Sequence, residues 1–203
     1  MRTLAIDCAT EACSVALFED GALLAHDHRV LGRGHAEHLV PMIGALPGKG
    51  RAARILVSRG PGSFTGVRIG IATARALAIV WQAEVRGYPT LALVAALAQA
   101  ERGGVPVSVA MTGGHGEWFV ADFSADGLPE GETLSRSPAE AAALARHDLV
   151  VGSQAEALVA LRGAGTALAI GPDARNACAL SPTLISADCA PIYGRPPDAR
   201  LPG

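Results

Sequence analysis

Apolar and polar positions along the first thirty residues follow strand periodicity. Residues 3–8 are apolar up to Asp7, residues 12–18 are β-rich, and residues 22–30 resume after an Asp20-Gly21 turn, so three strands in a meander are expected. Residues 34–46 carry Leu39, Val40 and Ile43 at helical spacing and stop at Pro47-Gly48. A short buried strand is expected over 54–58, a long helix over 65–82, and a further helix opening at Pro89-Thr90 and running to about Glu101. Past a joint at Arg102-Gly103-Gly104, residues 106–111 and 117–123 flank the Gly-rich stretch Thr112-Gly113-Gly114-His115-Gly116 as the arms of a hairpin do. Ser137-Pro138-Ala139-Glu140 reads as a helix start, followed by a strand at 148–151, a helix at 153–161 and a strand at 167–170. The pattern predicts an α/β protein of two lobes, residues 1–102 and 103–203. The second ends in a segment, 195–200, too proline-rich to be regular.

Half of the 203 residues are apolar and only 4% are aromatic, so the core is built from Ala, Val, Leu and Ile, which suit close helix packing. A formal charge of −2 excludes a protein that coats nucleic acid through bulk positive charge; contact with RNA is expected only in company with a partner. Cys8, Cys13, Cys178 and Cys189 form no CxxC pair and no zinc-finger spacing, and are expected as reduced, buried thiols. Asp7 interrupts the N-terminus too early for a signal peptide. The apolar run 71–81 contains Arg75 and falls short of the ~20 residues that span a membrane. A soluble cytoplasmic protein is expected.

The stretch Gly60-Pro61-Gly62-Ser63-Phe64-Thr65-Gly66 fits neither standard phosphate loop. Its outer glycines have five residues between them with Val67 following, where a P-loop needs four between and a lysine after, and Thr65 stands where the dinucleotide fingerprint needs its third glycine. What remains is a sharp turn in which Ser63 or Thr65 caps a helix whose free N–H groups can hold an anion. Along that helix Gly66, Gly70, Ala74 and Ala78 recur every four residues as a ridge with almost no side chain, a seat for close approach by another helix. Asp7 and Thr10, at the end of the first strand, are an acid and a hydroxyl of the kind that hold a metal-bound phosphate. His35 and His38 share a helix face without a third ligand, so no metal site is expected there. No GxSxG, HExxH or Cys–His signature supports a hydrolase.

GPGSFTGVRIG, with the opening TLAIDCATEACSVALFEDG, the segment GRGHAEHLVPMI and the ending PIYGRPPDAR, resembles the TsaB (YeaZ) family over essentially the whole chain. The resemblance implies an actin-like ATPase (ribonuclease H-like) fold in which each lobe is a mixed sheet with helices. It also implies a subunit of the machinery that makes N6-threonylcarbamoyladenosine in tRNA, without catalysis or a cofactor of its own. The family's catalytic partner TsaD holds the metal, and the ATPase TsaE joins the two. It further implies homodimers formed through first-lobe helices, contact with tRNA only through the complex, and an interface at His35, Leu39, Gly66, Gly70, Ala74 and Ala78. Asp7, Thr10, Ser63 and Thr65 are the residues expected to meet a nucleotide or anion. The family's second lobe usually turns on Asp-Ala-Arg, where this chain has Thr112 and Gly114 in place of the acid and the arginine. Two rival readings are an actin-like ATPase or small-molecule kinase using Asp7 and Thr10, and a glycoprotease-like metallopeptidase.

Overall fold

The structure is a computed structural model and describes residues 1–194. The proline-rich segment expected to be irregular lies outside the described residues. Strands β1 (Arg2–Asp7), β2 (Ala12–Glu19) and β3 (Ala22–Val30) form the meander, and β4 (Arg54–Ser58) and β5 (Glu84–Tyr88) extend it to a sheet of order β3-β2-β1-β4-β5. β1 runs antiparallel to β2 and parallel to β4, so the first strand is central. β5 was not expected from the sequence: in EVRGY only Gly87 and Tyr88 are buried, and the charged positions hide the strand period.

Alternation along the strands gives this sheet two apolar faces. Leu4, Ile6 and Cys8 join Cys13, Val15, Leu17, Ile55 and Val57 on one face, beneath helices α1 (His35–Ala45) and α2 (Phe64–Trp81). Ala5, Ala16, Phe18 and Leu56 point the other way, toward α3 (Thr90–Arg102). Eight residues of α3 are buried, five of them among Leu91, Ala92, Leu93, Val94 and Ala95, which explains a helix apolar on nearly every side. Gly103, at φ 82, ends it in the left-handed region that costs glycine nothing.

A second sheet of order β10-β9-β6-β7-β8 packs on the far side of α3. It comprises β6 (Val107–Thr112), β7 (Trp118–Phe123), β8 (Leu134–Arg136), β9 (Leu149–Val151) and β10 (Thr166–Leu168). Its outer face, with Ala110, Trp118, Val120 and Val150, is covered by α4 (Pro138–Leu144) and α5 (Ala155–Arg162). α4 opens at the helix start foreseen at Ser137–Glu140, where Ser137 and Glu140 form a capping box. The layers are therefore α1 and α2, the first sheet, α3, the second sheet, then α4 and α5. The three-residue strand β8 is too short to show a period.

After Gly171 the chain leaves the second sheet and returns to the first. The Ala174 N–H donates to Ser14 Oγ at 3.0 Å, Ser186 bridges to Gly87, and the Ile192 N–H donates to the Arg59 carbonyl at 2.7 Å. Residues 173–194 thus lie against the first lobe although they follow the second in sequence. All four cysteines are free thiols, but Cys178 is exposed, contrary to the expectation of four buried ones; it sits in a 3₁₀ turn (Ala174–Ala179) whose inward positions are Ala174 and Ala177. By length and composition α2, at 18 residues, is apolar enough to cross a membrane, longer than the interrupted run read from the sequence.

Candidate functional site

The stretch 60–66 is shaped by close approach of backbone to backbone. The Ser63 N–H donates to the Ala9 carbonyl at 2.7 Å, and Ser63 Oγ accepts from the Gly66 N–H at 3.2 Å, capping α2. A Cβ on Gly62 would collide with the Ala9 carbonyl, and one on Gly66 with the Cys8 carbonyl. The small ridge expected at a subunit seam is thus turned inward: Gly66, Gly70 and Ala74 are buried against the first sheet, and Ala78 is half-buried against the same cluster. Their small size serves intramolecular packing. Leu39 is likewise fully buried, and His35 is buried with Nε2 donating to the Thr10 carbonyl at 2.9 Å, stitching α1 to the β1–β2 turn. His38 is exposed, and among the described residues no three His, Cys, Asp or Glu side chains assemble into a possible metal site.

Asp7 is 1% exposed. Oδ1 accepts from the Ala9 N–H at 2.9 Å, and Oδ2 lies 3.3 Å from the hydroxyl of Tyr88. That hydroxyl also donates to the Ile6 carbonyl at 2.9 Å, so its single proton faces two acceptors. A proton on Asp7 resolves the shortage, since the carboxyl can then donate to Tyr88. Burial pushes the Asp7 carboxyl up to about 6; hydrogen bonds from Ala9, Ser58 and Tyr88 hold it back, and Asp173 adds a smaller push upward. Ser58, at the end of β4, is in turn 2.7 Å from the hydroxyl of Thr90, the first residue of α3. Tyr88, Ser58 and Asp173 were missed in the sequence. Tyr88 is one of only two tyrosines, but nothing local links it to Asp7, and Asp173 arrives from beyond the second sheet.

This acid lowers stability at neutral pH. Unfolded, the carboxyl loses its proton near its usual 3.8; folded, it keeps the proton to about 6. Between those values the unfolded chain binds fewer protons, so stability falls as pH rises, by about 3 kcal/mol in total at ~1.36 kcal/mol per unit. Asp7→Asn removes the titration. The difference in unfolding free energy between variant and wild type, measured by denaturant titration at pH 4, 5, 6 and 7, is expected to shift by about 2–3 kcal/mol in the variant's favour across that range. A difference independent of pH would show that Asp7 titrates normally.

Thr10 is half-buried with Oγ1 accepting from the Ala12 N–H, while Ser63 and Thr65 are exposed at the start of α2. Asp7 therefore faces inward, away from the hydroxyls expected to share a ligand with it. Across the chain, Thr112, where the family has an acid, is tied into a neutral network: its N–H donates to Ser153 Oγ at 3.0 Å and Gln154 donates to its Oγ1 at 2.8 Å. Glu117 accepts from the Ser135 hydroxyl.

The outward faces of α1 and α2 are largely apolar. Val40 is 54% exposed, Ile79 80% and Val80 74%, and Ala36, Pro41, Ala72 and Ala76 are exposed on the same two helices, with Glu37 and His38 on α1 and Arg68 and Arg75 on α2 as exposed polar and charged residues among them. The sequence marks α2 as apolar on nearly every side and assigns the partner to its small ridge; the structure turns the ridge inward and leaves the other side outside. At its N-terminal end Arg68 lies 3.6 Å above the Phe64 ring and donates to the Tyr193 hydroxyl at 2.8 Å, fastening the returning chain to the helix.

A family model described as TsaD, tRNA N6-adenosine threonylcarbamoyltransferase, matches residues 29–171, and the tRNA threonylcarbamoyladenosine biosynthesis protein TsaB of Escherichia coli is 40% identical over 139 residues. The chain belongs to the TsaD family, in its TsaB (YeaZ) branch. That match covers 65% of this chain and 60% of the Escherichia coli protein. The structure of YeaZ from Pseudomonas aeruginosa superposes with a TM-score of 0.80 at 28% identity, covering 95% of this chain and 99% of that one. The ethanolamine utilization protein EutJ from Carboxydothermus hydrogenoformans matches with a TM-score of 0.51 at 11% identity over 89% of this chain and 90% of its own, a likeness of fold alone. The two-lobed α/β architecture is thus the one TsaB (YeaZ) proteins share with actin-like ATPases.

Proposed function

We propose that this TsaB-type chain is a non-catalytic scaffold and activator in the formation of N6-threonylcarbamoyladenosine in tRNA. Its partner is a TsaD-like catalytic subunit, joined by a TsaE-like ATPase. The chain acts in the cytoplasm, meets tRNA through the complex, and holds neither the ATP nor the metal that the complex uses. In isolation it pairs with a second copy through the same helices that receive the catalytic subunit.

The observation that carries this reading is the contrast between two places in the first lobe. The acid that an actin-like phosphate site would need is buried and hydrogen-bonded to its own fold, whereas the outer side of α1 and α2 leaves Val40, Ile79 and Val80 exposed. Large apolar side chains clustered at a surface are costly unless a partner covers them. The Escherichia coli relative's description as a tRNA threonylcarbamoyladenosine biosynthesis protein supplies the pathway.

Reconstitution tests it. With TsaD-like and TsaE-like subunits, ATP, tRNA and the threonylcarbamoyl donor, transfer to tRNA is expected to require this chain and to survive Asp7→Asn. Each protein tested alone is expected to give no transfer. ATP turnover by this chain alone that vanishes in Asp7→Asn would favour the ATPase reading instead.

A further inference from the structure

Cys8 directly follows β1 and Cys13 lies on β2, each one step beyond Asp7–Ser14, the last paired residues of the β1–β2 ladder. Directly opposed residues in an antiparallel ladder keep their Cα atoms roughly 4.5–5.5 Å apart. That lies inside the ~4.4–6.8 Å a disulfide spans. The two sulfurs are already 3.6 Å apart and both thiols are free, so rotation about the Cα–Cβ bonds closes the gap without moving a strand out of register. On β3 the residue opposite Cys13 is Arg29, which places a cation on the other side of that thiol.

The two sulfurs are not equivalent. The hydrogen bond from Cys8 draws the Cys13 thiol down against burial and the charges of Asp7 and Asp27, with a small contribution from Arg29, which is itself paired to Asp27; the same bond together with burial pushes the Cys8 thiol up. Cys13 is thus the nucleophile and Cys8 the proton-bearing neighbour that resolves it. Both side chains are buried, Cys8 at 2% and Cys13 at 0% exposure, which selects an oxidant hardly larger than water.

We propose that Cys8 and Cys13 form a peroxide-responsive dithiol that closes to a disulfide between β1 and β2. The Cys13 thiolate attacks one peroxide oxygen, the O–O bond breaks, and the leaving hydroxide takes a proton to become water, leaving a sulfenic acid on Cys13. Cys8 Sγ then attacks the Cys13 sulfur, the S–O bond breaks, and a second water leaves with the Cys8 proton. Two thiols give up two electrons to one peroxide, and the products are one disulfide and two waters. The bond lies under the seat of α2, because the Cys8 carbonyl meets Gly66 and the Ala9 carbonyl holds Ser63. Cross-linking this turn restricts the unfolded chain and leaves the folded hairpin in register, so the melting temperature rises by several degrees.

The test uses the folded full-length chain and hydrogen peroxide. After treatment, quenching and alkylation in denaturant, the tryptic peptide 3–29 carries both thiols, with no other cysteine in it. The expected result is that this peptide loses two hydrogens and takes up no alkylating agent, that dithiothreitol restores both thiols, and that the melting temperature rises and falls in step. The Cys178→Ser/Cys189→Ser double variant is expected to keep the response and Cys13→Ser to lose it; should the double variant not fold, peptide 3–29 of the wild type gives the same decision. Full alkylation of Cys8 and Cys13 under peroxide that oxidises the exposed Cys178, or gain of oxygens on 3–29 without loss of hydrogens, would overturn the proposal.

Discussion

Gly66→Ala is expected to lower the melting temperature by about 6–12 °C. The added methyl group lands inside the Cys8 carbonyl oxygen, beneath the first turn of α2 and just past the end of the central strand β1. Overpacking costs ~1–3 kcal/mol where side chains can give way. Here the obstacle is backbone held by its neighbours, so a loss of about 3 kcal/mol or more follows, at ~2–4 °C per kcal/mol for a chain of this size. Gly70→Ala, one turn on, should behave oppositely. A Cβ there meets Val57 Cγ2 at 3.5 Å, Cys8 Cβ at 3.7 Å and Ile6 Cγ2 at 3.8 Å, all ordinary contacts. It also removes a mid-helix glycine, worth ~1 kcal/mol. Thermal unfolding of the two variants separates them; equal losses would mean that α2 does not rest on β1 as described.

These two glycines show how much of the fold was legible beforehand. A repeat of small residues every four positions announces that something approaches α2 closely, and something does. Periodicity does not say whether the visitor is another molecule or the protein's own sheet, because both need the same missing side chains. The answer lay in Cys8 and Ala9, more than fifty positions away in sequence, whose carbonyls occupy the space. The meander, the first three helices and the β6–β7 hairpin carried their own turn and cap signals, and so were readable. β5 and β8 were not, since one is masked by charged positions and the other is three residues long.

The candidate site divides along the same line. Asp7 could be singled out as an acid closing a strand, but its role depends on Tyr88, Ser58 and Asp173, which the fold gathers from three separate places. A sequence pairs Asp7 with Thr10 because they are near in the chain; the structure turns Asp7 toward Tyr88 and leaves Thr10 to cap the turn through Ala12. Likewise His35 is an interface residue by family resemblance alone, and it proves to be the peg that holds α1 to the hairpin.

The outer face of α1 and α2 is where we propose the partner docks. Ala76 and Val40 are exposed on it, one on each helix, and neither belongs to the buried clusters beneath. Glutamate at either position is solvated in the monomer and costs its fold little. In a complex it would be an unpaired charge taken into apolar surroundings, a penalty of at least about 2–3 kcal/mol. That corresponds to roughly a hundredfold weaker binding. Ala160→Glu on α5, exposed on the opposite side of the molecule, makes the same chemical change away from the face. The decisive measurement is calorimetric titration of a TsaD-like subunit with wild type, Ala76→Glu, Val40→Glu and Ala160→Glu, each checked by circular dichroism for native secondary and tertiary structure. Ala76→Glu and Val40→Glu are expected to bind about a hundredfold more weakly or not at all while Ala160→Glu binds as wild type; native affinity in the two folded face variants would mean that the partner docks elsewhere.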